Sequence, residues 1–245
     1  MPEFALWQWI LGIVAAFCVG VAKTGVPGLG IMVVPMMVLA VGDARKSAGW
    51  LLPILCLADV FALYYWRRHA SAGRLFGLAP WVVAGCVGGA FALALPEPQI
   101  RPLVGCIVLL MLLAYLKRRF SASTSTTQTA EVPAAPYGIA AGFATTVANA
   151  AGPVMSLYLL TKRLPKEEFV ATGAWFFFFV NLSKVPIYIY HGLFSSQSLV
   201  FDATMFPAVL AGALTGRWII NHIPARMFEA TVVVLTAAST ILLFR

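Results

Sequence analysis

Long apolar segments recur along the whole of this 245-residue chain, and they constrain its fold more than any other feature. A helix needs about 20 apolar residues to cross about 30 Å of hydrocarbon. Because hydrophobic residues make up 61% of the chain and charged residues only 11%, the sequence predicts an all-α integral membrane protein. Ten apolar segments are recognised, at residues 4–22, 28–41, 48–66, 75–95, 101–116, 137–148, 153–161, 169–190, 203–220 and 227–244.

The two halves of the chain resemble each other at a nearly constant spacing. Residues 12–17 (GIVAAF) are similar to residues 138–143 (GIAAGF), 126 positions later. Further pairs at spacings of 125 to 127 are Pro27 with Pro153, Trp50 with Trp175, Asp59 with Lys184, Gly85 with Gly212 and Gly89 with Gly216. The spacing predicts two repeats of about five segments each, residues 1–116 and 137–245. The polar, Ser- and Thr-rich stretch 117–136 is predicted to be a linker.

The positions of lysine and arginine favour inverted repeats over parallel ones. Cytoplasmic loops of membrane proteins carry an excess of these residues. With Lys23 and Lys184 set aside, inverted halves place 11 basic residues on one side and 4 on the other, whereas parallel halves divide them 8 and 7. We therefore expect a multi-pass protein of the cell (inner) membrane, with both termini outside and the linker in the cytoplasm.

Glycine and proline interrupt the apolar pattern at matching positions in the two halves, at residues 23–30 (KTGVPGLG) and 149–153 (NAAGP). Glycine allows the backbone to leave helical geometry, and proline suits the first turn of a new helix. Such a helix start presents unpaired N–H groups and a positive dipole end, which favour an anion. We expect short broken or re-entrant helices that meet near the midplane. Ordinary short hairpins between full spans are the alternative.

Three charged residues, Lys23, Asp59 and Lys184, lie within or beside the apolar segments. Because an ion at the centre of a membrane helix costs roughly 2.5–3.5 kcal/mol on insertion scales, each needs a partner or a water-filled cavity. The lysines are candidate anion ligands, and Asp59 is expected either to pair with one of them or to carry a coupling proton. The predicted substrate-binding residues are Lys23, Gly25, Gly28, Asn149, Gly152, Pro153 and Lys184.

The remaining features are assigned structural roles. The small-residue pairs Gly85/Gly89 and Gly212/Gly216 predict close helix packing, within the protomer rather than between protomers. Five tryptophans near segment ends suit anchoring at the membrane surface. They are Trp7, Trp9, Trp66, Trp81 and Trp218. The four cysteines are interpreted as packing residues, and no metal or cofactor is expected. They are Cys18, Cys56, Cys86 and Cys106.

These features indicate a secondary transporter of a small anion in the lipid bilayer. No catalytic set of Ser, His and Asp, no HExxH motif and no phosphate-binding loop is present, so an enzyme is not expected. The basic residues lie in short loops, which argues against nucleic acid as a partner. A passive anion channel, or a transporter of another small anion such as a carboxylate, is the alternative. Protons are the candidate coupling ion, and a homodimer is compatible with the sequence.

The residues around the two breaks resemble a known family. The glycine-rich break at 23–30 followed by Pro35, and the segments Gly142-Phe143 and 152–160 (GPVMSLYLL), are similar to the two repeats of the TauE/SafE sulfite exporter family. The first break differs from the family's usual run of consecutive glycines, because other residues are interspersed. The resemblance covers nearly the whole chain. It implies export of sulfite or small organosulfonates, the products of taurine and related sulfonate breakdown.

Overall fold

The computed structural model describes residues 4–69, 72–92, 97–121, 133–148, 150–190 and 192–243, and within these ranges the chain is helical. Among the described residues, five helices are long and apolar enough to cross a membrane: Leu6–Thr24, Lys46–His69, Leu75–Ala92, Lys166–Tyr190 and Ser196–His222. The helices are α1 (Leu6–Thr24), α2 (Gly30–Val41), α3 (Ala44–Trp66), α4 (Ala72–Ala92), α5 (Glu97–Ser121), α6 (Ala134–Ala148), α7 (Ala151–Thr161), α8 (Lys166–Tyr190), α9 (Ser196–His222) and α10 (Ala225–Leu243). The described part of the chain is thus helical, with several helices able to span a membrane, as the apolar segments predict.

The predicted breaks are where helices end and begin. Helix α1 ends at Thr24 and α2 begins at Gly30, while α6 ends at Ala148 and α7 begins at Ala151. Helices α2, α6 and α7 are short, with 12, 15 and 11 residues. Pro153 lies in the first turn of α7, whereas Pro27 lies in the turn before α2 and outside the helix. Local glycine and proline chemistry therefore predicts both interruptions.

The helices form two compact units, which do not coincide with the two sequence halves. Unit 1 comprises Met1–Ser71 and Pro165–Phe228, and therefore holds α1, α2, α3, α8 and α9. Unit 2 comprises Ala72–Leu164 and Glu229–Arg245, and holds α4 to α7 with most of α10. The mixing arises because the first helix of each half packs on the fourth helix of the other half, α1 on α9 and α6 on α4.

Glycines make these two helix pairs possible. In unit 1, a Cβ added to Gly212 would overlap the backbone of Phe17 in α1. In unit 2, a Cβ added to Gly85 would overlap the backbone of Ile139 in α6. Small residues let backbones approach this closely. The prediction that the glycine pairs pack within the protomer is confirmed.

The directions of the helices in unit 1 follow from their contacts. Gly49, near the start of α3, packs on Leu193 just after α8, and Asp59 further along α3 is bonded to Asn181 of α8. These two helices are therefore antiparallel. Helix α1 runs parallel to α3, because Phe4 packs on Trp50 at one end and residues 24 and 66 meet at the other. The end of α1 is thus held against the later part of α3.

An aromatic cluster fills the opposite end of unit 1. The ring of Phe201 in α9, which is fully buried, contacts the rings of Phe4, Trp9 and Trp50 at centroid distances of 5.2 to 5.8 Å. Trp9 is therefore a packing residue rather than a purely interfacial one. Trp66 is also buried, although its place at a segment end predicts an anchoring role. Its indole instead donates a hydrogen bond inside unit 1, to the end of α1.

Candidate anion-binding site at the end of α1

The centre of the site is an ion pair between α1 and α3. The Nζ atom of Lys23 lies 2.7 Å from Oδ1 of Asp59. The Asp59 side chain is fully buried, and 11% of the Lys23 side chain is exposed. A buried carboxylate requires a partner of this kind, because desolvation of an unpaired charge costs several kcal/mol.

Helix α8 completes the surroundings of the pair. Nδ2 of Asn181 donates a 2.7 Å hydrogen bond to Oδ2 of Asp59. The Lys23 ammonium lies 4.1 Å from the centroid of the Phe177 ring, in the geometry of a cation–π contact. Lys184 is buried on the same helix, and its positive charge acts on Asp59. Phe177, Asn181 and Lys184 follow the i, i+4, i+7 spacing of one helix face, which explains why they reach the same region.

The end of α1 is fixed by three contacts with its neighbours. The indole Nε1 of Trp66 donates a 3.0 Å hydrogen bond to the carbonyl oxygen of Thr24. The Thr24 hydroxyl lies 2.9 Å from the carbonyl of Gly20 and 2.7 Å from that of Ala213, and donates to one at a time. Gly25 lies directly against the backbone of Gly216. Lys23 therefore extends from a helix end that is anchored to α3 and α9.

The glycines predicted to bind substrate in unit 1 have different local roles. Gly25 is buried and serves the close contact with α9. Gly28 has φ of 105°, a left-handed conformation that favours glycine, and it forms the turn that leads into α2. The N-terminus of α2 has no side-chain cap at Leu29. Of its first N–H groups, that of Met32 donates to the carbonyl oxygen of Leu29, and the preceding ones have no side-chain cap.

The second break lies in unit 2, where Gly152 and Pro153 occupy the first turn of α7. Asn149 lies outside the described residues. The N-terminus of α7 likewise has no side-chain cap, at Ala150. Among the described residues, no atom lies within 4 Å of a Cβ added to Gly152. The two breaks thus share an uncapped helix start, but each belongs to its own unit.

The three charged residues predicted from the sequence lie in this site, and Asn181 is an unpredicted member of it. The structure brings Lys23, Asp59 and Lys184 together in unit 1. Asn181 and Phe177 were not predicted, although their spacing from Lys184 on an apolar helix was a usable signal. Within the described part of the chain, no cluster of three or more His, Cys, Asp or Glu side chains could hold a metal ion.

The site contains a cation, Lys23, beside a helix break, and this cation is paired with the buried acid Asp59. An anion that reached Lys23 would gain a charge-assisted contact. The uncapped start of α2 at Gly30 follows seven residues after Lys23 in sequence, and a helix start of this kind attracts negative charge. The geometry suits binding of a small anion.

The sequence of this chain is similar to that of a known protein family. The profile of the family described as "Sulfite exporter TauE/SafE" matches residues 11–243, nearly the entire chain. Searches of the curated proteins and of the solved structures gave no match. The family is one of membrane transporters rather than enzymes. Since the match spans nearly the whole chain, including both helix breaks, this chain belongs to the sulfite exporter TauE/SafE family.

Proposed function

We propose that this protein is a secondary transporter that exports a small anion, either sulfite or a small organosulfonate, and that Lys23 is its principal charged ligand. The observation that carries the proposal is the Lys23–Asp59 pair at the end of α1. The anion and Asp59 are both negative, and they compete for one ammonium group. Lys184 adds a second positive charge to the same region.

The competition with Asp59 accounts for release as well as binding. When the anion leaves, Asp59 pairs with Lys23 again, so the buried ammonium always has a counter-charge. An anion at Lys23 adds a negative charge to the site, because the displaced Asp59 carboxylate stays buried. Lys184 is proposed to compensate Asp59 in that state, so that two ammonium groups balance the anion and the carboxylate.

We also propose that the two halves of the chain are inverted repeats. Repeat-equivalent helices α3 and α8 run antiparallel in unit 1, which supports inverted repeats. The uncapped starts of α2 in unit 1 and of α7 at Gly152 and Pro153 in unit 2 are both proposed to bind an anion. The cell (inner) membrane location and the outside placement of both termini are proposed from the distribution of basic residues.

The substrate can be identified with purified protein in detergent. A thermal-shift screen would compare sulfite, sulfate, thiosulfate, sulfoacetate, taurine and small carboxylates. A ligand that binds only the folded state raises the midpoint of unfolding. We expect the largest shift from sulfite or sulfoacetate. A larger shift from a carboxylate would reject the sulfonate assignment.

Transport itself is tested in proteoliposomes loaded with radiolabelled substrate. We expect efflux that depends on an imposed pH gradient and that collapses with a protonophore. Lys23→Ala should abolish efflux, whereas Lys46→Ala, which changes an exposed lysine near the start of α3, should not. Flux that follows only the anion's own gradient, at rates beyond those of transporters, would instead identify a channel.

A further inference from the structure

A second buried acid lies in unit 1, away from the Lys23–Asp59 pair. Asp202 is the seventh residue of α9 and is 8% exposed. Among the described residues, neither of its carboxylate oxygens has a hydrogen-bond partner. Asp59 has both an ammonium and an amide at hydrogen-bond distance. The two buried acids therefore differ in how their charge is compensated.

The described neighbours of Asp202 supply no counter-charge. Helix α9 packs on α1 and α3. At the level of Asp202 these helices contribute the aromatic cluster around Phe201 and Trp50. The titratable side chains described on α1 and α3 are Cys18, Lys23, Lys46, Cys56, Asp59, Tyr64 and Tyr65. In the part of the chain that the structure describes, none of them forms a hydrogen bond or an ion pair with Asp202.

An ionised carboxylate in this setting would be costly, because a buried charge is normally paired or coordinated to a metal ion. A metal ion would require several oxygen ligands. The described residues form no cluster of acidic, His or Cys side chains that could provide them. A proton needs only one carboxylate oxygen. Asp202 therefore fits a proton better than any other cation.

We propose that Asp202 is a proton-binding site, separate from Asp59, and that it carries the proton coupled to anion movement. The coupling role rests on the proposed function, whereas the proton site does not. Asp59 is already neutralised by Lys23 and is occupied in anion exchange. Asp202 alone among the described buried acids of unit 1 has no ionic partner.

The position of Asp202 suits entry of a proton from one end of unit 1. It lies six residues after the start of α9, which corresponds to about 9 Å along the helix. The loop at 192–195 precedes that start. Trp50, which packs on the neighbouring residue Phe201, is nine residues before Asp59 in α3, or about 13 Å along the axis. Asp202 therefore lies between this loop and the level of the ion pair.

Infrared difference spectroscopy tests the site directly, with purified wild-type protein and no anion. A pH step should change the carbonyl band of a protonated carboxylic acid. We expect this band to be lost in Asp202→Asn, retained in Asp202→Glu at a shifted frequency, and unchanged in Asp43→Asn. Asp43 is an exposed acid that caps α3, and asparagine can also cap. An identical band in wild type and Asp202→Asn would overturn the proposal.

Proteoliposomes test the coupling. In Asp202→Asn, uptake driven by a pH gradient should fall to the level seen without a gradient, while exchange of labelled for unlabelled anion continues. Gradient-driven uptake at the wild-type rate, or uptake that requires sodium in place of a pH gradient, would contradict a proton role for Asp202. Failure of Lys23→Ala to affect anion binding would contradict the proposed function and leave the infrared result for Asp202 standing.

Discussion

The ammonium nitrogen of Lys23 lies 2.7 Å from a carboxylate oxygen of Asp59, although the two residues are 36 positions apart in sequence and belong to different helices. The pair connects the end of α1, where the chain breaks, with the buried interior of α3. Each charge compensates the other at a buried place, where an unpaired charge would be destabilising. An anion that displaces Asp59 would therefore act on a contact that also holds two helices together.

Asp59→Asn should lower the stability of the protein without weakening its binding of the anion. Removing one member of a buried pair typically costs about 3–5 kcal/mol, because the other charge is left uncompensated. Lys23 would then be available to the anion, so the affinity should equal or exceed that of wild type. Thermal unfolding and equilibrium binding of sulfite measure the two effects.

The double variant Lys23→Ala/Asp59→Asn is the control for this prediction. It should recover part of the lost stability, because no unpaired charge remains, and the pair should show a clear coupling energy in the double-mutant cycle. Additive losses of stability would show that the two side chains do not interact. Weaker anion binding in Asp59→Asn would indicate that Asp59 contributes directly to the ligand site.

Asn181→Ala should destabilise the protein through Asp59. The amide donates to a buried carboxylate, and a hydrogen bond to a charged group is worth about 1.5–3 kcal/mol. The loss should largely disappear when Asp59 is already asparagine. Leu182→Ala is the matched control on the same helix, because Leu182 is exposed. Equal effects of Asn181→Ala with and without Asp59 would refute the role assigned to the amide.

The two break glycines should respond differently to substitution. Gly25→Ala should reduce the yield of folded protein, because its Cβ would overlap the backbone of Gly216. Gly152→Val should fold nearly normally, because no described atom lies within 4 Å of a Cβ there, yet it should abolish transport if an anion approaches that backbone. Size-exclusion profiles and efflux assays separate the two results. Normal efflux by Gly152→Val would remove the α7 start from the proposed site.

Orientation in the membrane can be tested with single cysteines in a background without the four native ones. A cysteine at Ser123, in the linker outside the described residues, should be protected from impermeant thiol reagents in intact cells. A cysteine at Ser196, at the start of α9, should react. The reverse pattern would invert the proposed topology.

Much of the fold could be predicted because it depends on local chemistry. Apolar length predicts the helices, and glycine and proline predict the interruptions after Thr24 and Ala148. The glycine pairs predict close packing, since only a residue without Cβ allows it. These properties are set by neighbours in sequence, and they do not require knowledge of which helices meet.

The partners in the site could not be predicted in the same way. In the sequence, the position equivalent to Asp59 in the other half is Lys184. In the folded protein, however, the ion-pair partner of Asp59 is Lys23. Trp66 stands at a segment end, where tryptophans usually face the membrane surface, yet it donates to Thr24. In the sequence, Asp202 looks like an ordinary acid near a loop. In the structure, the packing of α9 buries its side chain. Each of these outcomes depends on contacts between distant segments.

The most direct test of the central claim is equilibrium binding of sulfite to purified wild-type protein and to Lys23→Ala, with Lys46→Ala as the control. A desolvated charge-assisted contact is worth about 1.5–3 kcal/mol, so the Kd of Lys23→Ala should rise roughly 10- to 150-fold. The Kd of Lys46→Ala should not change. Wild-type affinity in Lys23→Ala, together with lost binding in Lys184→Ala, would contradict the account and move the site to α8.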